Sequence, residues 1–151
     1  MKANNLTISI PTPKCEKDCP FCVSKMTFGV EDNLELFNKN LIKVRKFADI
    51  AQVSSVLITG KGEPMDNLGQ IVYICEVFKD FPLELQTNGT KLNENPKNIE
   101  DIKNLGINVI AISIWNPKEL NSFSNMFKEL STFAIVRVTI VLNSTWKNLS
   151  F

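Results

Sequence analysis

Short apolar runs alternate along this chain with stretches whose apolar residues recur at threes and fours. Leu6-Thr7-Ile8-Ser9-Ile10 alternates with period two, as a half-buried strand does. From Asp32 to Ile50, residues Leu34, Phe37, Leu41, Val44, Phe47 and Ala48 form the stripe of an amphipathic helix, with Asp32 and Glu35 reading as its capping-box start. Ser55 to Thr59 reads as a short buried strand, Asn67 to Lys79 as a helix, and Leu83 to Thr87 as a strand ending in the turn residues Asn88-Gly89. A helix from Asn98 to Leu105 stops at Gly106. Val109 to Ile114 is almost wholly apolar, the pattern of a parallel strand covered on both faces. A helix over Lys118 to Leu130 and a strand over Ile135 to Leu142 close the series.

Strands alternating with helices predict an α/β fold with right-handed crossovers and a parallel sheet. Ligands of such sheets gather at the carboxyl ends of the strands. At 151 residues the chain reads as one domain, 1–151. Its 17 Lys and Arg against 16 Asp and Glu call for neither nucleic acid nor a membrane surface as partner. No apolar run approaches the roughly 20 residues that span a bilayer. Met1 to Asn5 leads straight into a strand without a secretory apolar region, so the expectation is a soluble cytoplasmic protein with reduced thiols.

The chemistry concentrates in Cys15-Glu16-Lys17-Asp18-Cys19-Pro20-Phe21-Cys22. Three cysteines spaced CxxxCxxC on a loop after a strand turn three thiolates toward one region, where a soft metal or an iron-sulfur cluster can bind. Zinc is the weaker reading, because structural zinc wants four nitrogen or sulfur ligands; the chain has no histidine and one further cysteine, Cys75. A disulfide framework is disfavoured by the odd, tight grouping. Cys75 lies in an apolar helical stretch and reads as a small core hydrophobe.

CxxxCxxC with the aromatic Phe21 before its last cysteine resembles the cluster-binding signature of the radical S-adenosylmethionine (SAM) superfamily. A second motif extends the resemblance: Thr59-Gly60-Lys61-Gly62-Glu63-Pro64, directly after an apolar strand, is similar to that family's Gly-Gly-Glu-Pro motif, with Lys61 where glycine is common. The resemblance implies a partial (βα) barrel of five to six strand-helix units, of which five strands are legible, so that the last unit is expected to be missing or unrecognised. It implies a 4Fe-4S cluster on Cys15, Cys19 and Cys22, with one iron left for SAM, and an enzyme that cleaves SAM reductively to a 5'-deoxyadenosyl radical. Gly62 and Glu63 are then expected at the methionine amino group and Phe21 near adenine. Gln86, Ser113 and Arg137 match places of polar contact to the carboxylate or ribose. A reducing partner such as flavodoxin or ferredoxin is implied, with a small-molecule, nucleotide or peptide substrate. The alternatives are an iron-sulfur electron-transfer module without SAM cleavage and an inactive truncated remnant.

Other residues carry weaker expectations. Arg137, inside an apolar strand, should pair with an anion or face solvent. Asn88 suits either binding or a left-handed turn. Trp115 and Trp146 read chiefly as packing, and Lys17 and Asp18 as solvated. An open last strand rich in Val and Ile offers an edge for oligomerisation.

Overall fold

The computed structural model describes residues 3–12, 15–27 and 33–146. Strand β1 (Asn5–Ile10) leads to the cysteine loop, which ends in a 3₁₀ turn, Val23–Thr27. Helix α1 (Leu34–Ile50) begins at Asn33, whose side chain accepts the Leu36 N–H at 2.8 Å. The capping residue is thus Asn33; the expected Asp32 start lies outside the described residues. Leu41 and Ala48 of the predicted stripe are buried, whereas Phe47 is 61% exposed and lies off the packed face.

Strand β2 (Ser55–Gly60) is followed by a 3₁₀ turn, Pro64–Asn67, and helix α2 (Leu68–Val77), which starts where expected because Asn67 caps it through Gln70 N. After β3 (Leu83–Thr87) comes an unanticipated five-residue helix, α3 (Thr90–Glu94), entered through Gly89 at φ 79°. The next helix, α4 (Pro96–Lys103), begins two residues earlier than its apolar pattern suggests. Asn95 caps it and Pro96 occupies the first turn, where a missing N–H costs nothing. Gly106, at φ 71°, turns the chain into β4 (Ile107–Ile114). The predicted single helix over 118–130 is two, α5 (Lys118–Ser122) and α6 (Ser124–Leu130), broken at the buried Phe123. Strand β5 (Ile135–Ile140) and a 3₁₀ turn, Ser144–Trp146, follow.

All five strands are parallel and lie in the order β1-β2-β3-β4-β5. With each right-handed crossover moving one strand in the same direction, the helices fall on one face, as in a (βα) barrel wall. Register confirms the sidedness. Ile8, Ile58, Leu85, Ile110 and Val136 stand side by side across the sheet, the first four at 5% exposure or less, and form the core with Ile71, Ile74, Phe78 and Ile102. The opposite face carries Thr7, Ser9, Thr59, Glu84, Gln86, Ser113 and Arg137.

The expectation that β4 is covered on both faces holds only in part. Ile110, Ile112 and Ile114 are fully buried, and so is Ala111 on the other side, but Val109 and Ser113 beside it are only partly so. Among the described residues no helix packs beyond β5, and Ile135, Val138 and Ile140 are exposed. Among the described residues no helix is long and apolar enough to cross a membrane.

Candidate active site at the strand ends

Because every strand runs the same way, the loops after β1 to β4 meet at one rim. A cavity of about 330 Å³ opens there, lined on one side by Cys15, Cys19, Phe21 and Cys22. Gly60, Gly62, Glu63 and Pro64 line the facing side, with Gln86 and Ser113 from the next two strands. Every residue singled out for a site therefore reaches this cavity except Arg137. Its guanidinium pairs instead with Glu84 on the helix-free face, half exposed, which answers its need for an anion without a ligand.

The cysteine loop is shaped by its own backbone. Cys15 O accepts from Asp18 N at 3.4 Å and Cys19 O from Cys22 N at 3.1 Å, while Asp18 takes a left-handed φ of 39°. Burial pushes the Cys15 and Cys19 thiols up, more than the donors around them pull down. Metal must therefore displace protons to bind there. The three sulfurs share one cavity, yet no three Cys, Asp or Glu side chains among the described residues gather tightly enough for a single ion. A 4Fe-4S cube gives each cysteine a separate iron corner and wants sulfurs spread around a cavity wall, so the donor set fits a cluster better than mononuclear zinc.

Glu63 is the centre of the facing wall. The sequence left it between a binding group and a solvated loop carboxylate; it is 2% exposed. Its Oε1 accepts from Met65 N at 3.0 Å and from the Thr87 hydroxyl at 2.5 Å, and Oε2 accepts from Asn88 N at 2.9 Å. A carboxylate has about four lone-pair positions, so one remains for a further donor. The side chain thereby staples the end of β2 to the end of β3.

Gly60 is required by close approach. A Cβ there would lie 2.8 Å from Gly62 O, 3.0 Å from Pro64 N and 3.0 Å from Thr12 Oγ1. Two of these atoms are backbone and cannot step aside. Gly60→Ala is expected to cost about 1–3 kcal/mol in urea unfolding, the range for overpacking; a cost near zero would show that the turn can open.

Thr12 escaped the sequence reading, and the structure decides between the readings of several others. Thr12, 2% exposed, accepts the Gly62 N–H at 2.8 Å and ties the end of β1 to the glycine motif. Asn88 does not adopt the left-handed turn, which belongs to Gly89. Its amide donates to Cys15 Sγ at 3.4 Å and Glu16 Oε1 at 3.1 Å, and its Oδ1 accepts from Thr90 N at 2.8 Å. Lys17, expected to be solvated, is 9% exposed, whereas Asp18 is open to solvent and pairs with Lys25 at 2.7 Å. Phe21 is not core: it is 43% exposed and meets Trp115 edge-on at 6.0 Å between centroids. Trp146 packs as expected, its indole N–H donating to the carbonyls of Trp115 and Val141. None of these long-range partners leaves a local pattern in the sequence.

Cys75 is 3% exposed in α2, and burial pushes its thiol up to about 11. Alkylation of the native, metal-free chain should label the three half-buried loop cysteines faster than Cys75, which combines the deepest burial with a thiol pushed up to about 11. Mass spectrometry after brief iodoacetamide treatment checks this, and equal labelling of all four would refute the burial of Cys75. Cys75→Ala should take up as much iron as the wild type.

A five-stranded parallel α/β wall with a three-cysteine loop and a glycine-glutamate turn at one rim defines the class of a partial (βα) barrel. The radical SAM superfamily profile matches residues 9–142, and the chain belongs to that superfamily. It is similar to an uncharacterized protein of Methanocaldococcus jannaschii, 32% identical over 123 residues, covering 80% of this chain and 36% of that protein. It is also similar to the GTP 3',8-cyclase of Clostridium acetobutylicum, 27% identical over 131 residues, covering 85% of this chain and 38% of that enzyme. The chain thus spans well under half the length of these curated relatives.

Proposed function

We propose that this chain forms the cofactor-binding core of a radical SAM enzyme, with Cys15, Cys19 and Cys22 holding a 4Fe-4S cluster. The observation that carries the reading is the cavity in which these three cysteines face Gly62 and the buried Glu63. When bound, the cluster supplies one electron to the sulfonium of SAM, whose carbon–sulfur cleavage yields methionine and a 5'-deoxyadenosyl radical that takes hydrogen from a substrate.

The chain's own residues bind and orient. The free lone-pair position of Glu63 accepts from the methionine ammonium, with the Gly62 backbone alongside. Gln86 and Ser113 offer hydrogen bonds toward the carboxylate or ribose from the neighbouring strand ends. Phe21, exposed and braced by Trp115, offers a face to adenine. Arg137 is left out of this set because Glu84 already occupies it.

A buried acceptor beside the cysteines has no use in a bare electron carrier, which favours SAM binding over electron transfer alone. The substrate is a small molecule, nucleotide or peptide; similarity to an enzyme named for GTP makes a nucleotide the first class to try. A cytoplasmic setting and a flavodoxin or ferredoxin as reductant complete the proposal. The test is anaerobic reconstitution with iron and sulfide, reduction with dithionite, and chromatography for 5'-deoxyadenosine in the presence of SAM. Product formation is the expected result; an intact cluster without product would move the assignment to an electron-transfer module.

A further inference from the structure

Lys17 lies inside the cysteine loop and yet points away from solvent. Its ammonium donates to Asn88 O at 2.8 Å and pairs with Glu119 Oε1 at 2.7 Å, 5.4 Å from the centroid of the Phe123 ring. Both side chains are largely withdrawn from water, at 9% and 17% exposure. Glu119 is itself held, its Oε2 accepting from Trp115 N at 3.2 Å and Asn116 N at 3.4 Å. The pair therefore bolts the loop after β1 to the end of β3 and to the start of α5. The same Asn88 that receives Lys17 on its carbonyl donates its amide to Cys15 Sγ.

We propose that Lys17 is a positioning residue for the iron-sulfur site, locking the cysteine loop in its cluster-receiving shape through Glu119 and Asn88 and setting the cluster's reduction potential with a fixed positive charge. The proposal rests on the cluster assignment made above. A cluster gains one negative charge on reduction, and a nearby cation stabilises that form while a nearby carboxylate opposes it. Interactions between charges shielded from water are far less damped than at the surface. Lys17 sits two residues from both Cys15 and Cys19, and Glu119, its partner at 2.7 Å, carries the opposite charge, so removing each should move the potential in opposite directions.

The test uses the full chain reconstituted anaerobically, with iron content measured and the potential read by dye-mediated titration followed by electron paramagnetic resonance. Lys17→Gln, which keeps a donor for Asn88 O, should lower the potential, and Glu119→Gln should raise it. Lys17→Arg should stay close to the wild type. Shifts of one sign in both glutamine variants, or none with the clusters intact, would overturn the proposal while leaving the cluster assignment standing. If Lys17→Gln does not fold, the other two decide: arginine must hold the wild-type value and Glu119→Gln must raise it, and any other result overturns the proposal. A wild-type chain that takes up no 4Fe-4S cluster overturns the assignment and the proposal together.

Discussion

Cys19→Ala is expected to abolish the cluster, and with it all formation of 5'-deoxyadenosine. Cys19 is the middle cysteine of the loop, and its carbonyl also receives the Cys22 N–H that shapes the second half of the turn. With two thiolates left, a cube has half its corners without protein ligands, and neither a histidine nor a spare loop cysteine exists to replace the third. The only other thiol, Cys75, is buried in α2 and held protonated. The loss should therefore be near complete in iron analysis and in the visible charge-transfer absorption. Folding should be largely retained, since Cys19 is only half-buried and contributes little to the core. A Cys19→Ala chain that still binds four irons would sink the ligand assignment.

Glu63→Ala is expected to be the most destabilising single substitution at the rim. It strips acceptors from three buried donors, the N–H groups of Met65 and Asn88 and the hydroxyl of Thr87. Each orphaned buried donor costs about 1–3 kcal/mol, so the three together cost about 3–9 kcal/mol, a large share of the 5–15 kcal/mol that stabilises an ordinary domain. The urea midpoint at unchanged slope measures it. A loss within about 0.5 kcal/mol, as for ordinary surface changes, would mean that the staple between β2 and β3 is dispensable.

Glu63 also predicts a pH dependence. Burial raises its carboxyl above the ordinary 4.5, against the pull of the three donors. A raised native value means that the folded chain favours the protonated form. The corresponding stability is present below about 4.5 and is lost as pH rises through the native value. The stability of the wild type relative to Glu63→Gln should fall as pH is raised from about 4, read by urea unfolding across a pH series. A gap between the two that does not change with pH would contradict this.

Much of the architecture follows from local pattern. Five apolar runs separated by amphipathic stretches became five parallel strands and their helices, and β3 matches its predicted bounds because Leu83 and Thr87 sit between turn residues. Boundaries failed where a cap or a tertiary contact overrode periodicity. Asn95 and Pro96 start α4 early, and Phe123, drawn into the core, splits the predicted helix over 118–130. β4 reads as buried on both faces because Val109 and Ala111 are apolar; Ala111 is buried, but Val109 and Ser113 on the same side are only partly so.

By itself the sequence determined the alternation of strands and helices, the parallel sheet and the two motifs that mark the family. CxxxCxxC and Gly-x-Gly-Glu-Pro are short, and a thiolate or a tight turn needs no distant partner to be recognised. Only the tertiary structure decided what each remaining polar residue does, since that depends on which atom stands opposite across the fold. It took Arg137 out of the cavity by placing Glu84 on a nearby strand, and it buried Lys17 by bringing Glu119, 102 positions away in the chain, to within 2.7 Å. It also made the unremarked Thr12, and Asn88, whose role the sequence left between binding and a turn, into the joints between β1, β2, β3 and the cysteine loop. Hydrogen bonds and ion pairs between strand ends are long-range in sequence and short-range in space, and only the folded sheet makes them visible.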